Sequence, residues 1–152
     1  MLKDNWISAI FGVVFWIIVM VSVFLLVIEK QFWVGPSMIF LGLIVFLSIK
    51  LFGQNPYEAL SDVIFGIMDN SVLTIFAILG ANLFGVLGAV VGGAVGNAAS
   101  DGFAGIFEGH SSQELSKKKK NNPKTAIRSS LGKMAGCLLG AGIILTIAWT
   151  LL

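Results

Sequence analysis

Apolar residues run along this chain in long blocks, and the polar residues gather between them. Crossing a hydrocarbon core of ~30 Å takes about 20 residues of helix. Five blocks reach or approach that length: residues 6–28, 36–52, 57–79, 83–107 and 126–152. Pro36 opens the second block, at a first-turn position where its missing N–H costs nothing. That block is short, so Lys50 at its end is expected to stretch its ammonium to the membrane surface. Gly53-Gln54-Asn55-Pro56 precedes the third block, with Asn55 and Glu58 spaced as a capping box. Gly80-Ala81-Asn82 reads as a tight turn between the third and fourth blocks. A polar loop, 110–124, separates the fourth from the fifth, and Asn121-Asn122-Pro123 stops a helix from running through it. The predicted fold is all-α, a polytopic integral membrane helical bundle forming a single transmembrane domain over 1–152.

The first block could pass for a signal peptide, since Lys3 precedes it. At about 23 residues it is longer than the 7–15 of a signal h-region. It ends in Glu29-Lys30-Gln31 with no small-x-small cleavage site, so it reads as a retained helix. No Arg/Ser-rich transit segment precedes it, and the expected location is a prokaryotic plasma membrane. Composition agrees: 57% of residues are hydrophobic and only 12% charged, too little polar surface for a soluble domain.

The net charge of +2 is too small to suggest nucleic acid, but the positions of the lysines set an orientation. Lys117, Lys118, Lys119, Lys120, Lys124 and Arg128 cluster between the fourth and fifth blocks. With five spans, Lys3 and Lys50 fall on that same side and Lys30 opposite. The positive-inside rule then puts the N-terminus inside and the C-terminus outside. The lysine run could bind anionic lipid, although a solvated topogenic loop is the plainer reading. Trp6, Trp33 and Trp149 fall near block ends, where interfacial tryptophans belong.

Two features remain for packing and chemistry. Gly85, Gly88, Gly92, Gly93 and Gly96 line the fourth block, and Gly132, Gly136 and Gly140 the fifth. Glycines four apart form a face along which helix backbones approach closely. They predict a packing seam, within the bundle or between two copies, with Cys137 as a small residue in it. The acids are harder to assign to packing, because a charge at a helix centre costs on the order of 2.5–3.5 kcal/mol on insertion scales. Asp69 falls near the middle of the third block, with Asn70 beside it. Asn97 and Asp101 are four apart and share a helix face, with Ser100 adjacent.

Counted outward from a turn at Ala81, Asp69 stands opposite Gly93, and Asp62 opposite Ser100 and Asp101. Asp69, Asn97, Ser100 and Asp101 are therefore expected to converge. Carboxylates brought together repel unless a cation lies between them, and several hard oxygens suit Ca²⁺, Mg²⁺ or Na⁺. Asp62 could equally stabilise the start of its helix. Glu108 could join the site or mark the interfacial end of the fourth block. Lys133 could snorkel, or pair with Asp101 or Glu108.

Three stretches resemble the transmembrane protein 65 family: Phe65-Gly-Ile-Met-Asp69-Asn70, Gly96-Asn97-Ala-Ala-Ser100-Asp101-Gly-Phe-Ala-Gly105, and Leu131-Gly132-Lys133-Met-Ala-Gly136-Cys137. They occur in the family's order, and the resemblance covers residues 63–142. Animal members of that family are mitochondrial inner-membrane proteins implicated in sodium-dependent calcium efflux. The resemblance thus implies cation transport, sodium–calcium exchange included, and points to Asp69, Asn70, Asn97, Ser100 and Asp101. Glu108 departs from the family spacing, and the first two blocks have no counterpart in it.

The leading expectation is a cation transporter with a carboxylate and amide site between the third and fourth blocks. The alternative is a non-transporting structural or regulatory membrane protein assembled through its glycine seams. No catalytic residue and no resident cofactor is implied, only a bound or transported cation (Ca²⁺, Na⁺ or Mg²⁺). An intramembrane aspartyl protease would need a Tyr-Asp or Gly-x-Gly-Asp motif, which the chain lacks. With Cys137 and His110 each single of its kind, a disulfide within the chain and a histidine-rich metal site are excluded. The expected partners are the lipid bilayer, inorganic cations and further copies of the chain, as a homodimer or larger.

Overall fold

The computed structural model describes residues 6–115 and 125–151, with the side chains of these apart from 31–32 and 104–115. Four helices are long and apolar enough to cross a membrane. They are α1 (Trp6–Val27), α2 (Gln31–Leu51), α3 (Leu60–Leu115) and α4 (Ala126–Leu151), with a short 3₁₀ turn, Pro56–Ala59, leading into α3. The expected helical membrane bundle is therefore what forms. Lys3, the four-lysine run, Lys124 and Asn121-Asn122-Pro123 lie outside the described residues.

The helix count differs from five because α3 is 56 residues long. At 1.5 Å per residue it would extend ~84 Å, more than twice a bilayer core. It breaks instead at Phe84 (φ −136°, ψ 18°) and Gly85 (φ 61°, ψ −142°) and doubles back on itself. Residues 60–83 and 86–115 thus form two limbs, which supply the third and fourth predicted spans. The turn expected at Gly80-Ala81-Asn82 lies at Phe84-Gly85. A glycine is required where φ is positive, and Gly85 meets that need. Gly80 has another task inside the limb: a Cβ there would overlap the Gly88 carbonyl, and one on Gly88 would overlap that of Gly80. The second limb also runs on to Leu115, so the first residues of the expected loop 110–124 are helical.

Two compact units divide the chain, one of Met1–Ser71 with Thr125–Leu152, the other of Val72–Lys124. In the first unit α4 is the central element. Its buried residues include Leu131, Gly132, Ala135, Gly136, Leu138, Gly140, Ala141 and Gly142. One glycine face receives the start of α3: a Cβ on Gly132 would sit 3.2 Å from Ala59, and one on Gly136 or Gly140 would overlap the Val63 or Ile67 carbonyl. Another face receives α2, where Gly42 lies against Ala135, Leu138 and Leu139, and Gly142 against Gly35 and Ile39. The glycine seam of α4 is thus used within the bundle. Helix α1 contributes a narrow stripe, Ala9, Gly12 and Trp16, and turns large side chains outward along the rest of its length. An apolar surface of that extent suits lipid rather than water.

Local signals explain the boundaries. Helix α2 begins at Gln31, one turn before the expected start, so Pro36 lies inside the helix. It ends where Gly53 takes φ 69° and the N–H groups of Gly53 and Gln54 return to the carbonyls of Lys50 and Ile49. That is a Schellman termination. Asn55 then caps the 3₁₀ turn by accepting the Tyr57 N–H at 3.1 Å, with Pro56 following. Lys50 is exposed in the last turn of α2, as expected of a snorkelling lysine.

In the second unit the two limbs pack closely at Gly80 with Gly88, and again at Gly92, whose Cβ would overlap the Phe76 carbonyl. Gly96 follows, 2.9 Å from the Leu73 Cα on the same measure. Gly93 is looser and faces Leu73 and Ala77 at 3.7–3.8 Å.

Candidate functional site

Asp69 lies nine residues beyond Leu60 in the first limb of α3, half-buried, on an otherwise apolar stretch. Around it the backbones of α3 and α4 meet. A Cβ on Gly66 would stand 2.6 Å from the Lys133 carbonyl oxygen and 2.8 Å from the Cys137 nitrogen. Asn70 closes the contact, its Nδ2 donating to the Cys137 carbonyl at 3.1 Å. The amide expected as a cation ligand thus also ties two helices together. Cys137 is a half-buried free thiol in this seam, as expected of a small packing residue.

Lys133 extends from α4 to place its ammonium 5.0 Å from the centroid of the Phe65 ring, within cation–π range. Phe65 is one helical turn before Asp69. Both Asp69 and Lys133 lie near enough to Cys137 to act on it electrostatically. The partner seen for Lys133 is therefore an aromatic ring on α3.

Asp62 stands in the first turn of α3, where a carboxylate complements the helix N-terminus. It is 4% exposed and packs against α4, its Cβ 3.1 Å from where a Cβ on Gly132 would be. Close by, the carboxylate of Glu58 pairs with Arg128, which is 5% exposed. Two sequence-based expectations change here. Arg128, counted among the topogenic charges, is a buried ion-pair partner, and Glu58, read as half of a capping box, reaches across to α4. The Thr125 hydroxyl donates to Gln54 at 2.8 Å beside them.

In the second unit, Asn97 Nδ2 donates to Asp101 Oδ2 at 3.1 Å, as their spacing of four suggested. Ser100 is buried and donates its hydroxyl to the Asn97 carbonyl at 2.9 Å. Asp101 itself is exposed. The amide spends one N–H on the carboxylate and keeps its oxygen for an acceptor or ligand role. Asp69 and Asn70 belong to one unit and Asn97, Ser100 and Asp101 to the other. The register counted from Ala81 gives way, since Gly93 faces Leu73 and Ala77 instead of Asp69. The side chain of Glu108 lies outside those described. Among the described residues, no three or more His, Cys, Asp or Glu side chains gather as a metal-holding group. A cation site built from the described residues would therefore draw on amide, hydroxyl or backbone oxygens as well.

Sequence reasoning missed the Glu58–Arg128 pair and the role of Gly66. An arginine just inside the start of an apolar helix was the available signal for the first, because burial obliges it to find an anion. Gly66 stands in the Phe65–Asn70 stretch, outside the two glycine runs of the fourth and fifth blocks.

No family model, no curated protein and no solved structure matches this chain.

Proposed function

We propose that this protein is a cation transporter that handles Ca²⁺, Na⁺ or Mg²⁺ through Asp69, Asn70, Asn97, Ser100 and Asp101. The observation that carries the reading is Asp69, a half-buried carboxylate deep within an apolar limb, beside an amide that bonds a second helix. Acids at such depth are costly, and those retained mark ion pathways in membrane proteins. Asp101, with Asn97 and Ser100, repeats the same carboxylate, amide and hydroxyl chemistry in the second unit. Hard oxygen donors of this kind suit Na⁺ and divalent group-two cations. The family resemblance adds sodium–calcium exchange as the coupled activity. The protein belongs in a membrane, and the lysine distribution favours its N-terminus inside and its C-terminus outside. It works as a homodimer or larger assembly, since so few helices enclose a pathway poorly and the exposed Asp101 calls for a polar neighbour within the membrane.

A second reading rests on the glycine contacts. Gly66, Gly136 and Gly140 in one unit, with Gly80, Gly88 and Gly92 in the other, bring helix backbones together. A structural protein without transport would use them in the same way.

Flux separates the two. Purified protein in proteoliposomes should move Ca²⁺ or Na⁺ down an imposed gradient. Asp69→Asn and Asp101→Asn should each abolish that flux while the protein expresses and melts as before or better, because Asn is isosteric and removes a charge costing up to ~3 kcal/mol. Glu108→Gln should be milder. Asn variants that transport like the parent, or that misfold outright, would leave the acids with a structural role and favour the second reading.

A further inference from the structure

Lys133 and Asp69 lie about one helical turn apart along the α3–α4 interface, and the contacts around them define that spacing. The Lys133 ammonium lies 5.0 Å from the Phe65 ring centroid, and Phe65 is one turn before Asp69 on the same helix face. Gly66 abuts the backbone at Lys133 and Cys137. Asn70, next to Asp69, bonds the Cys137 carbonyl at 3.1 Å. Both charges reach Cys137, which is one turn beyond Lys133. A lysine stem has four carbons and a mobile end, so a change of rotamer carries its ammonium from the Phe65 face toward the Asp69 carboxylate.

We propose that Lys133 is a tethered counter-cation that competes with the transported ion for Asp69, with the Phe65 ring as its resting place while the ion is bound. This rests on the reading of Asp69 as a cation ligand. A cation that leaves a carboxylate within an apolar span leaves its charge uncompensated, and a transport site must release what it binds. A fixed ammonium one turn away supplies the replacement charge on release and withdraws to the aromatic face on binding. The side chain thereby sets the affinity of the site without being one of its ligands.

The test is the cation-dependent rise in melting temperature of the purified full chain, titrated with CaCl₂ and with NaCl. Lys133→Met removes the competitor, and the apparent affinity should rise at least about tenfold. Phe65→Leu removes the resting place, so affinity should fall, as it should for Lys133→Arg, whose guanidinium grips a carboxylate with two hydrogen bonds. Lys50→Met, at the exposed end of α2, is the control for loss of any positive charge and should leave affinity unchanged. Unchanged or weaker binding in Lys133→Met, with binding still abolished in Asp69→Asn, would overturn the competitor role; a lysine that only reaches for the membrane surface gives that result. If Lys133→Met does not fold, Phe65→Leu and Lys133→Arg decide, and parental affinity in both overturns the proposal. Equal cation response in the parent and Asp69→Asn would instead remove the underlying cation-site reading.

Discussion

Gly66→Ala tests the contact on which the Asp69 region depends. The added Cβ would lie 2.6 Å from the Lys133 carbonyl oxygen, 2.8 Å from the Cys137 nitrogen and 3.1 Å from the Gly136 carbonyl carbon. Carbon and oxygen normally approach no closer than about 3.3 Å, so α3 and α4 must part by about 0.7 Å. All three opposing atoms are backbone, and no side-chain rotation relieves them. Overpacking of this kind costs about 1–3 kcal/mol. The same shift stretches the Asn70–Cys137 hydrogen bond from 3.1 Å past its useful range, a further loss of about 0.6 kcal/mol for such bonds in membrane bundles. Helix propensity returns about 1 kcal/mol on replacing glycine with alanine. The net expectation is destabilisation by roughly 0.5–2.5 kcal/mol, because the clash and the lost hydrogen bond together outweigh the propensity. Gly102→Ala is the control: nothing lies within 4 Å of its Cβ, so only the gain of about 1 kcal/mol remains. Loss of helical circular dichroism with rising SDS mole fraction would order the three proteins as Gly102→Ala, parent, Gly66→Ala. Equal midpoints for the two variants would refute the backbone contact.

Gly85→Ala has open space around its Cβ but a φ of 61°, so it should cost about 1–3 kcal/mol through strain alone, read as a lower melting midpoint than Gly102→Ala. Glu58→Gln takes the carboxylate charge from the buried Arg128 and should cost about 3 kcal/mol, whereas Arg128→Met takes the guanidinium from a carboxylate whose side chain is 36% exposed and should cost about 1 kcal/mol; the same SDS titration compares them, and the reverse order would contradict the burial difference. For orientation, in a Cys137→Ala background a cysteine at Ser116 should be shielded from an impermeant thiol reagent in intact cells, and one added after Leu152 should react. Opposite labelling would invert the topology.

Much of the fold was legible because each membrane span must satisfy its own backbone hydrogen bonds. Length and hydropathy therefore place the spans without knowledge of neighbours, and Asn55, Pro56 and Gly53 punctuate them by local chemistry. The Asn97–Asp101 contact was legible too, since it depends on helical spacing alone. The hairpin tip was not. Gly80 and Gly85 look equally suited to a turn, and which one bends depends on where two backbones must touch. The facing Gly80–Gly88 and Gly92–Phe76 contacts make that choice, and the register within the hairpin follows from it. Charge partners likewise waited on packing. Glu58 and Arg128, or Phe65 and Lys133, lie far apart in sequence and meet only because α4 runs alongside the start of α3. The sequence determined on its own that the chain is built of membrane helices, and which acids fall within their apolar stretches. Only the tertiary structure decided which helix faces meet and which groups those acids stand beside, because both follow from how closely the glycine-lined backbones can approach.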